Sequence, residues 1–267
     1  MNRRPVWLIT VVAFGYALLY VPIVSVVIYS FNDSRLVTLW GGFSLRWYAS
    51  LLSNRELMES ALLSLRIAVV SATFATALGA IVALALQRLS RLRGRVLLSG
   101  MIAAPLVMPE IITGLSLLFL FISMADLVGW PASRGATTIT IAHITFSMAF
   151  VVVVVRARLV AMDESLEEAA MDLGGRPVPV FFDITVPMLM PALISGWLLA
   201  FTLSLDDLVI SSFVSGPGAT TLPMYIFAKV RLGVTPDINA ITTIIIALVA
   251  VAVATAALVS SRRGQTG

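Results

Sequence analysis

The sequence predicts an all-α, polytopic membrane protein with six transmembrane helices and one short cytoplasmic helix between the fourth and fifth. Three observations carry this. The chain is 59% hydrophobic and 12% charged, with mean hydropathy +1.00, too apolar for a soluble domain of 267 residues. Six apolar runs approach or exceed the roughly 20 residues needed to span a bilayer. Basic residues gather beside those runs with a bias toward one side.

The predicted spans are 6–30, 61–86, 96–123, 137–155, 188–205 and 238–259. The first is too long for a signal peptide and lacks a following small-residue cleavage site, so it is expected to remain as a span. Two outer connections are long. Segment 32–60 holds Trp40, Trp47 and Tyr48, aromatics suited to a membrane interface. Segment 206–237 holds Gly216-Pro217-Gly218 and Pro223. No internal repeat interrupts the pattern, and 1–267 reads as a single transmembrane domain.

Orientation follows from the basic residues. With both termini inside, the inner segments carry Arg3, Arg4, Arg88, Arg91, Arg93, Arg95, Arg156, Arg158, Arg176, Arg262 and Arg263. The outer segments carry Arg35, Arg46, Arg55, Arg134, Lys229 and Arg231, and Arg66 lies within a span. Eleven against six favours cytoplasmic termini. The same grouping explains the net charge of +4 as topology, so no nucleic-acid partner is expected. Cys is absent, which excludes a disulfide framework and Cys-based metal or redox chemistry. No Gly-x-x-x-x-Gly-Lys-Ser/Thr phosphate loop occurs, and Lys229 is the only lysine.

The inner segment 161–187 is the most informative. Residues 163–173 are good helix formers with an acid-rich start, which the helix macrodipole favours. Leu166, Ala169, Ala170 and Leu173 fall at helical spacing and form an apolar stripe. Gly174-Gly175 stops the helix, and Pro177 and Pro179 are expected to prevent its resumption.

Ionisable groups at membrane depth are costly and point to function by default. Glu110 falls near the middle of the third span, between Pro105, Pro109 and Gly114. It reads either as a carboxylate on a translocation path or as a structural partner for Arg66. Asp206 and Asp207 close the fifth span, about 27 Å from its start at 1.5 Å per residue. Adjacent helical residues point about 100° apart, so only one need face a pore; the alternative is a solvated helix end. His143 is a lone imidazole in the fourth span, for which a hydrogen bond to a neighbouring span is expected in preference to a metal.

The inner segment resembles the EAA loop of ATP-binding-cassette (ABC) importer permeases. Glu168-Ala169-Ala170, three residues, Gly174, nine residues, then Ile184-Thr185-Val186-Pro187 match that pattern, with Val186 where Leu is usual. The resemblance implies the type I importer permease fold. It also implies that Glu168, Ala169, Ala170, Gly174, Ile184 and Pro187 belong to a coupling helix and loop that dock on a separate ATPase. No catalytic residue or metal is implied here; ATP and Mg are implied on the ATPase, not on this chain.

Segments 204–223, 104–110 and 233–240 further resemble the polyamine branch of these permeases, over nearly the whole chain. The nearest resemblance is to putrescine permeases, with spermidine permeases second. It implies an inner-membrane location and a heterodimer with a second, homologous permease. It further implies two ATPase copies and a periplasmic polyamine-binding protein. Putrescine carries two ammonium groups, which carboxylates and aromatic faces accept. Asp206, Asp207 and Glu110 supply the first; Trp197, Tyr225 and Phe227 are candidates for the second. Two rivals stand beside this reading. One is a proton-coupled secondary transporter relaying through Glu110 and His143; the other is an ABC permease for another solute, such as an oxyanion or iron.

Overall fold

A computed structural model describes residues 6–35, 39–88, 94–163, 165–233 and 236–263, with side chains at 6, 52, 248, 249 and 252–263 outside the description. Arg3, Arg4, Arg91, Arg93 and Glu164 therefore lie outside the described residues, as do the side chains of Arg262 and Arg263. The described backbone is almost entirely helical and falls into two compact units, Met1–Met58 with Ile226–Gly267, and Glu59–Tyr225.

In the first unit, α1 (Val6–Tyr29) packs against α12 (Pro236–Arg263), as does the short α2 (Arg46–Ser53). The predicted first span is α1, and the predicted sixth falls on α12, whose described apolar stretch, Pro236–Ala247, is a shorter one. The loop between α1 and α2 closes on buried Asn32, whose side-chain amide donates to Leu39 O (2.8 Å) and whose Oδ1 accepts from Gly41 N (2.8 Å). Trp47 donates its indole N–H to Asn32 O at 2.7 Å, and the Tyr48 hydroxyl lies 2.6 Å from Ser30 Oγ. The polar ends of two of the three expected interface aromatics are thus used to fold this loop. Trp40 remains exposed, edge-on to Tyr29.

The second unit holds α3 (Arg55–Arg88) from Glu59 onward, α4 (Arg95–Val107), α5 (Glu110–Val128), α6 (Ala136–Val160) and α7 (Ser165–Asp172). It continues through α8 (Pro177–Val180), a π-helical turn (Phe181–Thr185), α9 (Val186–Leu205), α10 (Val209–Val214) and the start of α11 (Leu222–Leu232). Among the described residues five helical stretches are long and apolar enough to cross a membrane: Trp7–Tyr29, Arg55–Arg88, Glu110–Val128, Ala136–Val160 and Pro177–Leu205. Of these α6 is the most enclosed and α1 the least.

Two expectations need correction. The apolar run 96–123 is not one continuous helix. Pro109 has no N–H to extend α4, and it forces Met108 out of the helical region, to φ −74° and ψ 136°. The long helix is α5, and Glu110 begins it instead of lying at mid-span. Nor do Pro177 and Pro179 hold the chain out of a helix. Pro177 takes the first position of α8, where a missing N–H costs nothing, and the helix then runs through the π turn into α9.

Small residues set how closely these helices approach. Ala72, Ala75, Ala83, Val151, Val152, Val155, Leu189 and Ala200 form one core, in which α6 packs along α9. Val151 of α6 sits between two glycine notches. A Cβ at Gly79 of α3 would lie 2.8 Å from Val151 Cγ1, and one at Gly196 of α9 would lie 3.3 Å from it. Close backbone approach at Gly is the usual route to tight helix contact in a membrane, where the hydrophobic effect cannot drive association. A second core joins Ile67, Leu117, Phe121, Ile139, Phe146, Ile210 and Val214, with α10 laid against α5 at Gly114.

Replacing Gly79 by Leu should therefore push α3 off α6, an overpacking cost of about 1–3 kcal/mol. The expected outcome is a melting temperature lowered by several degrees in detergent, followed by size-exclusion profile. Gly15→Leu on α1, where a Cβ would meet nothing within 4 Å, should leave it unchanged.

Candidate functional site

The inner segment folds as a pinned helix with a hard stop. Asp163 accepts the N–H of Ser165 at 3.0 Å at the start of α7, and this bond holds its carboxyl below the ordinary carboxylate range. At the other end Gly174 N–H donates to Met171 O (2.9 Å) and Gly175 N–H to Ala170 O (3.0 Å). That is the Schellman arrangement, and it requires φ of +90° at Gly174, which glycine adopts without a Cβ penalty. Gly175 is required for space: a Cβ there would lie 2.7 Å from Ala170 O.

Neighbouring acids in α7 divide in role. Glu167 turns inward, ion-paired with Arg88 at the end of α3 and accepting the Thr185 hydroxyl at 2.7 Å. Thr185 is itself buried in the π turn that leads into α9. One carboxylate thus ties α7 to α3 and to the root of α9. Glu168 and Ala169 point outward, and Ala170 is partly covered. Leu166 is 48% exposed and Leu173 91% exposed, so the apolar stripe is left unburied by this chain. Ile184 is partly buried, and Pro187 is exposed in the first turn of α9. Glu167, Arg88 and Thr185 are functional candidates that sequence reasoning missed. Only the inward count of Arg88 and the position of Glu167 beside Glu168 hinted at them.

The second group lies where α9 ends and α10 begins. The two adjacent acids there have different surroundings. The Asp207 side chain is 6% exposed. Its Oδ1 accepts Ile210 N–H (3.1 Å) and its Oδ2 accepts Ser211 N–H (2.7 Å), capping α10. His143 of α6, 2% exposed, places Nε2 3.1 Å from Asp207 Oδ2 and 3.1 Å from Ser211 Oγ. Its Nδ1 lies 2.6 Å from Ser204 Oγ, which Ser71 of α3 reaches at 2.9 Å. The expected hydrogen bond from His143 to a neighbouring span is therefore present, made to Ser204 of α9, and the other ring nitrogen reaches Asp207 just beyond that helix. Asp206 is exposed, and among the described residues no neighbouring side chain donates to its carboxylate. It sits at the C-terminal end of α9, where the helix dipole adds partial negative charge.

The other candidates lie on α5, α9 and α11. Glu110 is exposed in the first turn of α5 and forms no ion pair with Arg66 among the described residues. One turn on, on the same helix face, Gly114 seats Ile210 and Phe213 of α10. Glu110 thus begins the helix against which the α9–α10 break is packed. Trp197 donates its indole N–H to Thr73 Oγ1 at 3.1 Å and stacks on Phe201. Tyr225 is 3% exposed, inside the second unit. Phe227 carries the Arg231 guanidinium 4.6 Å from its ring centroid. These aromatics are already engaged, whereas Asp206 and Glu110 are open. No group of three or more His, Cys, Asp or Glu able to hold a metal occurs among the described residues.

Comparison with known proteins identifies the family of the chain. Residues 75–263 match the family described as binding-protein-dependent transport system inner membrane component. The chain is 57% identical, over 94% of its length and 91% of the relative's, to the putrescine transport system permease protein PotI of Escherichia coli K12. It is 42% identical, over 94% of each chain, to the spermidine/putrescine transport system permease protein PotC of the same organism. In fold it is similar to a chain of a bacterial ABC transporter involved in the import of the acidic polysaccharide alginate. That likeness has TM-score 0.70 and 17% identity, and covers 96% of this chain and 95% of that one. The chain belongs to the family of binding-protein-dependent transport system inner membrane components.

Proposed function

We propose that this chain is the permease subunit of an ABC importer that carries putrescine across the bacterial inner membrane by alternating access. The observation that carries the coupling half is α7. It is tied to the spans through Glu167, Arg88 and Thr185 while its apolar stripe and Glu168 stay uncovered. A helix fixed on one side and unpartnered on the other suits transmission of force from a separate protein. The partners are two copies of an ABC ATPase, which bind ATP and Mg, a second homologous permease forming a heterodimer, and a periplasmic polyamine-binding protein. Both termini are cytoplasmic in this reading, and 1–267 acts as one transmembrane domain with its coupling loop at 161–187. Glu168, Ala169, Ala170, Gly174, Ile184 and Pro187 form the docking element.

The substrate half rests on the named relatives together with the carboxylates at the α9–α10 break. A diammonium ion leaving its receptor needs negative groups that no neighbouring side chain already neutralises. Asp206 and Glu110 meet that condition. Asp207, Trp197 and Tyr225 belong to the path as its walls. Spermidine is the second reading, favoured by the 42% identical relative.

Two outcomes are expected. Glu168→Ala should impair transport with insertion intact, and Leu166→Asp should weaken copurification of the ATPase by about tenfold or more, because a buried unpaired charge is costly. Normal transport by both variants would end the coupling assignment. In the reconstituted complex with its receptor, putrescine should stimulate ATP hydrolysis more than spermidine does. Stimulation by spermidine alone would keep the mechanism and change the substrate.

A further inference from the structure

Two adjacent carboxylates close to an imidazole invite the assumption that all three serve the cation alike. Their donors indicate otherwise. Asp207 accepts three internal bonds, from Ile210 N–H, Ser211 N–H and His143 Nε2. Those bonds run across α6 and α10, and the relay continues through Ser204 of α9 to Ser71 of α3. A neutral imidazole satisfies the relay in the following assignment. Ser71 donates to Ser204, Ser204 donates to Nδ1, and Nε2–H donates to Asp207. Every step points donors toward the Asp207 carboxylate. Asp206 receives none of them and stands open at the end of α9.

We infer that His143 is a positioning residue. It commits Asp207 to the scaffold of the α9–α10 break and so presents Asp206 as the single carboxylate of this pair that meets the cationic substrate. The inference rests on the cation-path reading above and deepens it. Without the imidazole, the Asp207 carboxylate is free to turn into the path. The α10 cap loosens, and the two acids compete for one ammonium group. With it, the adjacent charges have separate tasks, one in the fold and one toward the substrate.

The test uses the whole complex with its receptor, scored per assembled complex. Asp206→Asn should lower putrescine transport about tenfold or more, the scale of losing one charge-assisted hydrogen bond. His143→Ala and Asp207→Ala should each lower it about tenfold, and the double variant should fall no further, because residues of one network are not additive. His143→Gln, which keeps an amide donor toward Asp207, should recover transport to within about threefold of the parent. The chain has one histidine, so imidazole nitrogen NMR signals lost in His143→Gln belong to it. Asp207→Ala should shift those signals, and Asp206→Asn should leave them in place.

Losses from His143→Ala and Asp207→Ala that multiply in the double variant would overturn the positioning role. So would signals that respond equally to both Asp substitutions. Normal transport by Asp206→Asn would sink the cation-path reading itself, and the presentation of Asp206 with it. Loss in Asp206→Asn with normal transport in the other two would sink the positioning role alone.

Discussion

The constraint on which the second unit depends is the interruption between α9 and α10. A helix that stops leaves carbonyls at one end and N–H groups at the other without partners in the helix, and those that are buried must find them elsewhere. Asp207 answers by capping α10, and His143 supports Asp207 from α6. Ser204 and Ser71 extend the support to α9 and α3. Four helices therefore meet on one buried polar chain. Buried polar networks of this kind are favourable only when nearly every member is bonded, so they specify one arrangement strongly. The break itself is what allows a polar residue such as Asp206 to stand open without unravelling its surroundings.

The inner loop obeys a related logic with different means. Its helix is too short to be stable alone, since isolated helices of fewer than a dozen residues are marginal. It is held by a cap at each end, by the Glu167–Arg88 pair and by the Thr185 hydroxyl. These fixings use backbone, charge and hydroxyl groups, and they leave the apolar side chains unspent. The π turn at Phe181–Thr185 adds one residue to the register just where Thr185 must reach Glu167. Such turns often mark functional positions in otherwise regular helices.

Much of this was legible in the sequence, because hydropathy encodes spans directly and Gly-Gly encodes a helix stop. The ends of α1, α6 and α9 fall within a few residues of the apolar runs at 6–30, 137–155 and 188–205. The division at Met108-Pro109 was harder to see, since the apolar run continues without pause on either side of it. Its two prolines were visible, but hydropathy alone does not say whether Pro bends a helix or ends it. The site divided along the same line. Glu168 and its spacing could be read locally. The partners of His143 could not, because Ser204 and Asp207 lie 61 and 64 positions away and are joined to it only by the packing of α6 on α9. The different surroundings of Asp206 and Asp207 were open for the same reason.

The glycine notches around Val151 have a mechanical consequence. A key held in two slots resists sliding and rotation, so a tilt of α9 is expected to carry α6 and α3 with it. The lever arm is α9, 20 residues and hence about 30 Å long. A tilt of about 5° at its π-turn root would carry the far end through about 2–3 Å over that length. That is enough to make or break contact with an ion, and it needs no rearrangement anywhere along the shaft.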